Sequence, residues 1–221
     1  MSLFWSRPIC LVLLLLALFS VKAQITHTPN GNVDKNAERI LKKASDVFSK
    51  NAVSFSVTMI NRDSSKKETA RAAAQVLYSK GRYRVSADGQ MLWSDGKNVW
   101  HWNKKSNETV VNAAGEADDD LMNPARLLSN YSKAFRPKYI RTDDNGIAVI
   151  DLVPRQSRSY HKIRLMITEK TGVLKSLTLH NYDSSEGEYR ITAFKQGATY
   201  KDSDFVYDAA AHKDAEVIDM R

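Results

Sequence analysis

Five histidines are the side chains best suited to acid–base or metal chemistry: His27, His101, His161, His180 and His212. No two of them form a His-x-His or His-x-x-x-His pair, and none has a carboxylate at ligand spacing, so the sequence supports no metal site. His101 stands between Trp100 and Trp102, on the opposite face of a strand, and is expected to face solvent. No serine sits in a Gly-x-Ser-x-Gly elbow, no phosphate-binding loop occurs, and no Gly-x-Gly-x-x-Gly follows a strand. Asp118-Asp119-Asp120 lacks the spaced oxygen ligands and central glycine of a calcium loop and reads as a solvated acidic stretch. Carboxylates brought together only by folding stay open as an acid–base pair. Nothing proposes an enzyme, and no cofactor is called for.

The single cysteine, Cys10, lies within an apolar run from Ile9 to Phe19, preceded by Arg7 and followed by Val21-Lys22-Ala23. Charged, apolar and small residues in that order form a secretory signal peptide over 1–23, with cleavage after Ala23 and one domain over 24–221. Eleven apolar residues fall short of the about 20 needed to span a bilayer. A lipid-anchoring cysteine would stand at the cleavage point, where Ala23 and Gln24 stand instead. The mature chain therefore has no disulfide and no thiolate, which fits a bacterial periplasm better than an animal extracellular fluid. Loss of Arg7 and Lys22 takes the formal charge from +8 to +6. The basic residues are spread over helix faces and turns rather than grouped with aromatics, so nucleic acid is not the expected partner.

The elements follow from period. Behind Asp34, which offers an N-cap side chain, residues Ala37, Ile40, Leu41, Ala44, Val47 and Phe48 repeat at helical spacing, which predicts an amphipathic helix ending near Asn51. Val53, Phe55, Val57 and Met59 then alternate with polar residues as a strand. The run Thr69–Ser79 contains Ala72-Ala73-Ala74, which propensity alone allows as a helix; the β-favouring Val76-Leu77-Tyr78 favours a hairpin partner. Asp88-Gly89 and Asp95-Gly96 separate short apolar segments and predict tight hairpins. Leu121–Phe135 interrupts the β pattern as a second helix, with Pro124 at its start and Pro137 beyond its end. Strands resume to a last one at Phe205–Tyr207, giving about ten. A sheet this long must curl, and the economical cover for its concave apolar face is the pair of helices. Such a cover can part from the sheet and expose an apolar trough.

Several stretches carry a family likeness. Ser94-Asp95-Gly96-Lys97-Asn98-Val99-Trp100-His101-Trp102 resembles the S-D-G-K-x-[LV]-W-x-[YW] segment of the LolA family. Leu77-Tyr78-Ser79-Lys80, Asn123-Pro124 before Leu127-Leu128, Ile150-Asp151-Leu152-Val153-Pro154, Ile163-Arg164-Leu165 and Gly172-Val173-Leu174 follow in the family's order. The resemblance covers nearly the whole mature chain. It implies an incompletely closed antiparallel barrel, mainly β with two helical segments, whose helical lid covers an apolar cavity. It also implies a function without covalent chemistry. The family's proteins are soluble periplasmic carriers that accept acylated lipoproteins from an inner-membrane lipoprotein-releasing ABC transporter. They pass them to an outer-membrane acceptor, LolB-like or of another kind. The alternative within the same fold is a periplasmic regulator that senses lipid or lipoprotein. A monomer is expected.

The residues whose parity or helical face would line such a cavity are Leu41 and Ala44 on the first helix and Phe55, Val57 and Met59 on the first strand. Tyr83, Val85, Trp100 and Trp102 would join them from the middle strands, with Leu127, Leu128 and Tyr131 from the second helix. Core and cavity share one composition, so ordinary core packing stays open for each. In the family a lid-latching arginine often stands in a Lys-Arg-Pro turn; here Lys80-Gly81-Arg82-Tyr83 offers Arg82 by a one-residue slip, unless the latch differs.

Overall fold

The computed structural model describes residues 34–114 and 124–221. Asp34 caps α1 (Lys35–Lys50), its Oδ1 accepting a hydrogen bond from the Ala37 amide at 3.1 Å. The helix ends at Asn51, as its apolar period predicts. Six strands follow: β1 (Val53–Arg62), β2 (Glu68–Ser79), β3 (Arg82–Ala87), β4 (Gln90–Ser94), β5 (Asn98–Asn103) and β6 (Glu108–Ala113). After α2 (Pro124–Ala134) come β7 (Phe135–Thr142), β8 (Ile147–Pro154), β9 (Tyr160–Thr168), β10 (Leu174–Asn181) and β11 (Glu186–Gln196). A 3-10 turn at Asp202–Phe205 and a short β12 (Glu216–Asp219) complete the chain.

All twelve strands belong to one large curved sheet in the order β12-β6-β5-β4-β3-β2-β1-β11-β10-β9-β8-β7, which does not close into a barrel. The order explains the position of α2. β1–β6 and β7–β11 are two meanders joined through β1 and β11, so β6 and β7 stand towards opposite edges. The connection between them leads from one end of that order to the other, and its helix α2 lies on the face that α1 also covers. The predicted hairpins form: Gly89 and Gly96 take φ of +66° and +88°, the left-handed region that an Asp-Gly turn uses. The alanine run is strand rather than helix, paired along β1 from Val53↔Tyr78 to Asn61↔Ala70. Pro137 falls in β7, an edge strand, where its missing N–H costs no ladder bond.

The end of the chain departs from expectation. Phe205–Tyr207 is not a strand: Phe205 closes the 3-10 turn and is fully buried with Leu77 and Ala198. The final strand lies further on, β12, which pairs parallel with β6 from Glu216↔Glu108 to Asp219↔Val111. Its four residues are all exposed, so it carries no apolar alternation to read.

The face away from the helices is charged across β8–β11 and β1. Asp151 accepts two hydrogen bonds from Arg164, at 2.7 and 2.8 Å, and one from Lys162 at 3.1 Å, with its side chain 8% exposed. Burial alone would raise its pKa, but the hydrogen bonds and charges of Arg164 and Lys162 outweigh burial and hold it below the usual carboxylate value. A carboxyl depressed by folding adds stability above its unfolded pKa, about 3.9, and loses it as pH falls through the folded value. Urea unfolding followed from pH 7 to pH 2.5 is therefore expected to show a steep acid loss that Asp151→Asn flattens.

Candidate functional site

The helix-covered face is one continuous apolar surface. Ala37, Ile40, Leu41, Ala44 and Phe48 of α1 are wholly buried against it, as are Ile163, Leu165 and Ile167 of β9. Leu127 and Leu128 of α2 join the same cluster, with Tyr131 packed at its margin. At the end of α1 four aromatic rings meet: the Phe48 ring centre lies 6.4, 5.9 and 6.0 Å from those of Phe55, Tyr78 and Phe194. Phe55 and Phe194 stack at 5.9 Å.

The structure gathers most of the residues expected at the cavity. Leu41, Ala44, Phe55, Val57, Tyr83, Val85, Leu127, Leu128 and Tyr131 all belong to this apolar cluster or pack on its margin. Met59 shares the face, opposite Ala72 and Tyr189. Beneath α1 the seam is filled by contacting side chains. Further along the same face Val57, Val76, Val85, Leu92 and Tyr189 are only half-buried, and Ala72 is exposed. The apolar floor therefore continues past its cover.

Trp100 and Trp102 do not join it. Trp100 pairs with Trp93 and Trp102 with Met91, on the opposite face from Val85 and Leu92. There the C-terminal segment packs on Trp102 and Trp93: His212 sits 4.6 Å from the Trp102 ring and 5.7 Å from Trp93, with Tyr207 5.1 Å from His212. His101, expected in solvent, occupies the helix-covered face instead, half-buried, with its Nε2 2.9 Å from the Gln90 side-chain oxygen. Burial pushes its pKa down. Parity correctly separates the tryptophans from the histidine; which of the two faces the helices cover is a tertiary contact that parity does not contain.

Arg82 is likewise on the outer face. Its guanidinium bonds Asp202 at 2.8 Å and lies over the rings of Phe205 and Tyr200, at 4.6 and 5.5 Å. With Arg84 bonded to Asp204 at 2.9 Å, it fastens the C-terminal segment to β3, on the face away from α1 and α2.

The contacts that hold α1 are elsewhere. Asp34, besides capping the helix, accepts the Tyr139 amide of β7 through Oδ2 at 2.7 Å. Arg39 pairs with Glu169, whose other oxygen accepts from the Thr142 hydroxyl at 2.7 Å. Lys43 donates to the carbonyls of Glu169 and Lys170 at 3.1 and 3.3 Å. Bonds from Thr142 and Arg39 keep the Glu169 carboxyl below its ordinary range. The turn then presses on the helix backbone at Gly172: a Cβ there would lie 2.7 Å from the Lys43 carbonyl oxygen. These groups clamp one flank of α1 to β7 and the β9–β10 turn. The other flank faces α2 across a cleft of about 740 Å³ lined by Lys35, Glu38, Lys42, Leu128 and Tyr131. Sequence reasoning missed Asp34 as a tertiary contact, and with it Thr142 and Glu169; only Lys170-Thr171-Gly172 carried a signal, as a turn.

Glu169→Gln keeps an acceptor for Thr142 but loses the charge facing Arg39. Its expected effect is several-fold faster hydrogen exchange in α1 with β9–β11 unchanged, measured by mass spectrometry. Unchanged α1 protection would show that the clamp lies elsewhere.

Residues 81–208 match the family described as outer membrane lipoprotein carrier protein LolA. The chain belongs to the LolA family. No curated protein sequence is significantly similar to it. Among solved structures, an uncharacterized conserved protein from Thermus thermophilus superposes with a TM-score of 0.55 at 15% identity, covering 84% of this chain and 99% of that one. A LolA superfamily protein from Nitrosomonas europaea gives 0.42 at 15% identity, over 78% and 98% of the two chains. MucB, in the Pseudomonas aeruginosa MucA/MucB complex, gives 0.43 at 15% identity over 79% and 62%. This LolA-family chain sets both helices on one face of an open curved sheet, with a clamp on one flank of α1.

Proposed function

We propose that this LolA-family chain is a periplasmic carrier that shelters the acyl chains of lipoproteins between its sheet and its two helices. It would take them from an inner-membrane releasing transporter and deliver them to an outer-membrane acceptor, acting as a monomer and without covalent chemistry. The observation that carries this reading is the apolar floor running out from under the helices through Val57, Met59, Val85, Leu92 and Tyr189. A floor that is half wet in the closed form offers an acyl chain a place to start.

Magnitudes support an exchange between lid and lipid. Lifting α1 uncovers Ile40, Leu41, Val47 and Phe48, each worth about 1.5–3 kcal/mol of burial. A sixteen-carbon chain gains about 0.8 kcal/mol per CH₂, or about 12 kcal/mol in all. The two are of one order, so a lid of this size can yield to a lipid and reseat after it leaves.

Affinity capture from periplasm followed by mass spectrometry tests the reading. Recovery of lipoproteins acylated at their amino-terminal cysteine supports it. Recovery of no acylated species contradicts it, and capture of one non-acylated membrane protein instead would favour the regulator.

A further inference from the structure

β9 and β10 pair regularly from Leu177↔Leu165 to His180↔Lys162, and then the register slips, so that the next pair is Asn181↔Tyr160. Such a slip sets two residues of β9, His161 and Lys162, against His180 alone, and re-aims a side chain. Tyr160 turns into the inner cluster, where it is 5% exposed. His161 is brought beside His180 with ring centres 6.0 Å apart and planes inclined at 69°. Both rings line a cleft of about 280 Å³ with Lys66, Asn181, Tyr182, Ser184 and Ser185.

The His180 ring is bonded on one side only. His180 Nδ1 is 3.0 Å from the Glu186 carboxylate, which also accepts from Lys66 at 2.7 Å. A carboxylate can only accept, so Nδ1 bears the hydrogen and Nε2 of the neutral ring is a bare lone pair. The Nε2 atoms of both His180 and His161 are buried and without a hydrogen-bond partner. Folded proteins rarely leave buried polar atoms so. Burial pushes the His180 pKa down, against the pull of Glu186.

An imidazole oriented by a carboxylate through one nitrogen and bare at the other is the usual arrangement of a metal-bound histidine. With each nitrogen about 2.0–2.1 Å from a shared ion, the ring centres fall about 5–6 Å apart. We infer that His161 and His180 bind one transition-metal ion of the zinc, copper or nickel class through their Nε2 atoms, with Glu186 orienting His180 and water filling the remaining positions from the cleft. Imidazole selects these ions over magnesium and calcium. Among the described residues no third His, Cys, Asp or Glu joins the pair. Lys66, Lys162 and Arg164 stand on the same face against Glu186 and Asp151, so binding is modest in strength. The site is independent of the acyl-chain reading, since it lies on the sheet face opposite the helices.

The test is calorimetric titration of the untagged protein with CuCl₂, ZnCl₂ and MgCl₂ at pH 7.5, with the paramagnetic resonance of bound Cu²⁺ as a second readout. The expected result is one Cu²⁺ or Zn²⁺ per chain, two nitrogen ligands in the Cu²⁺ spectrum and no Mg²⁺ binding. His161→Gln and His180→Gln should each weaken binding at least about tenfold, and Glu186→Gln about tenfold. At pH 5.5 binding should weaken, because metal binding to imidazole is in competition with protons. Should a variant fail to fold, the ring-proton resonances of the wild type replace it: Zn²⁺ must move those of His161 and His180 before those of His101 or His212. Absence of saturable binding, or binding unaltered by both substitutions, would overturn the inference.

Discussion

Replacing Phe48 by Ala is expected to lower the free energy of unfolding by about 3–5 kcal/mol, a large part of the about 5–15 kcal/mol that holds a domain together. The ring is wholly buried at the last turn of α1 and contacts Phe55, Tyr78 and Phe194 edge-on. Its removal costs the transfer energy of the ring, the edge-to-face contacts and an unfilled hole that helix and sheet cannot both close. Phe48→Leu fills most of that volume and should cost less. Urea unfolding at pH 7 reads both, as a fall in midpoint with unchanged slope. A loss under 1 kcal/mol for Phe48→Ala would mean that α1 is not seated on the sheet as described.

Gly172→Ala is expected to cost about 2–4 kcal/mol, and its cause can be divided. The residue holds a φ of +75°, where any L side chain pays about 1–2 kcal/mol. Its new Cβ would also stand 2.7 and 2.8 Å from the Lys43 carbonyl oxygen and carbon and 3.0 Å from the Ala44 nitrogen. Those are helix backbone atoms, which cannot swing aside as a side-chain tip can, so helix and turn must separate. Gly146→Ala is the control: its φ is +74°, with nothing within 4 Å of the added carbon. It should pay the conformational cost alone. Equal losses for the two variants would show that α1 does not press on the β9–β10 turn. A larger loss for Gly172→Ala, with faster hydrogen exchange confined to α1, is the expected pattern.

Local order was legible wherever one element carries its own period. The cap at Asp34, the helix end at Asn51 and the two Asp-Gly hairpins need only neighbours in sequence, and each appears where the sequence places it. The alanine run needed a choice between propensity and the β-branched residue that follows, and pairing with β1 settles it as strand. Contacts set by distant segments were not legible. Trp100 and Trp102 look like cavity walls by composition, yet both lie on the face away from the helices, where Trp102 meets His212, about a hundred residues later. Arg82 finds Asp202 for the same reason. The clamp on α1 was missed because Asp34, Thr142 and Glu169 are ordinary polar residues until β7 and the β9–β10 turn bring them together. The candidate pair His161 and His180 was invisible because a register slip, not a spacing in the chain, makes them neighbours.

The account stands on α1 and α2 leaving an oily floor so that lipid tails can take their place. Hydrogen exchange of the mature protein, with and without a peptide bearing a tripalmitoylated amino-terminal cysteine, measures that directly. The predicted outcome is a one-to-one complex in which the amides of α1 lose protection while those of β9–β11 keep theirs. A peptide that fails to bind, or binds with α1 as protected as before, contradicts it.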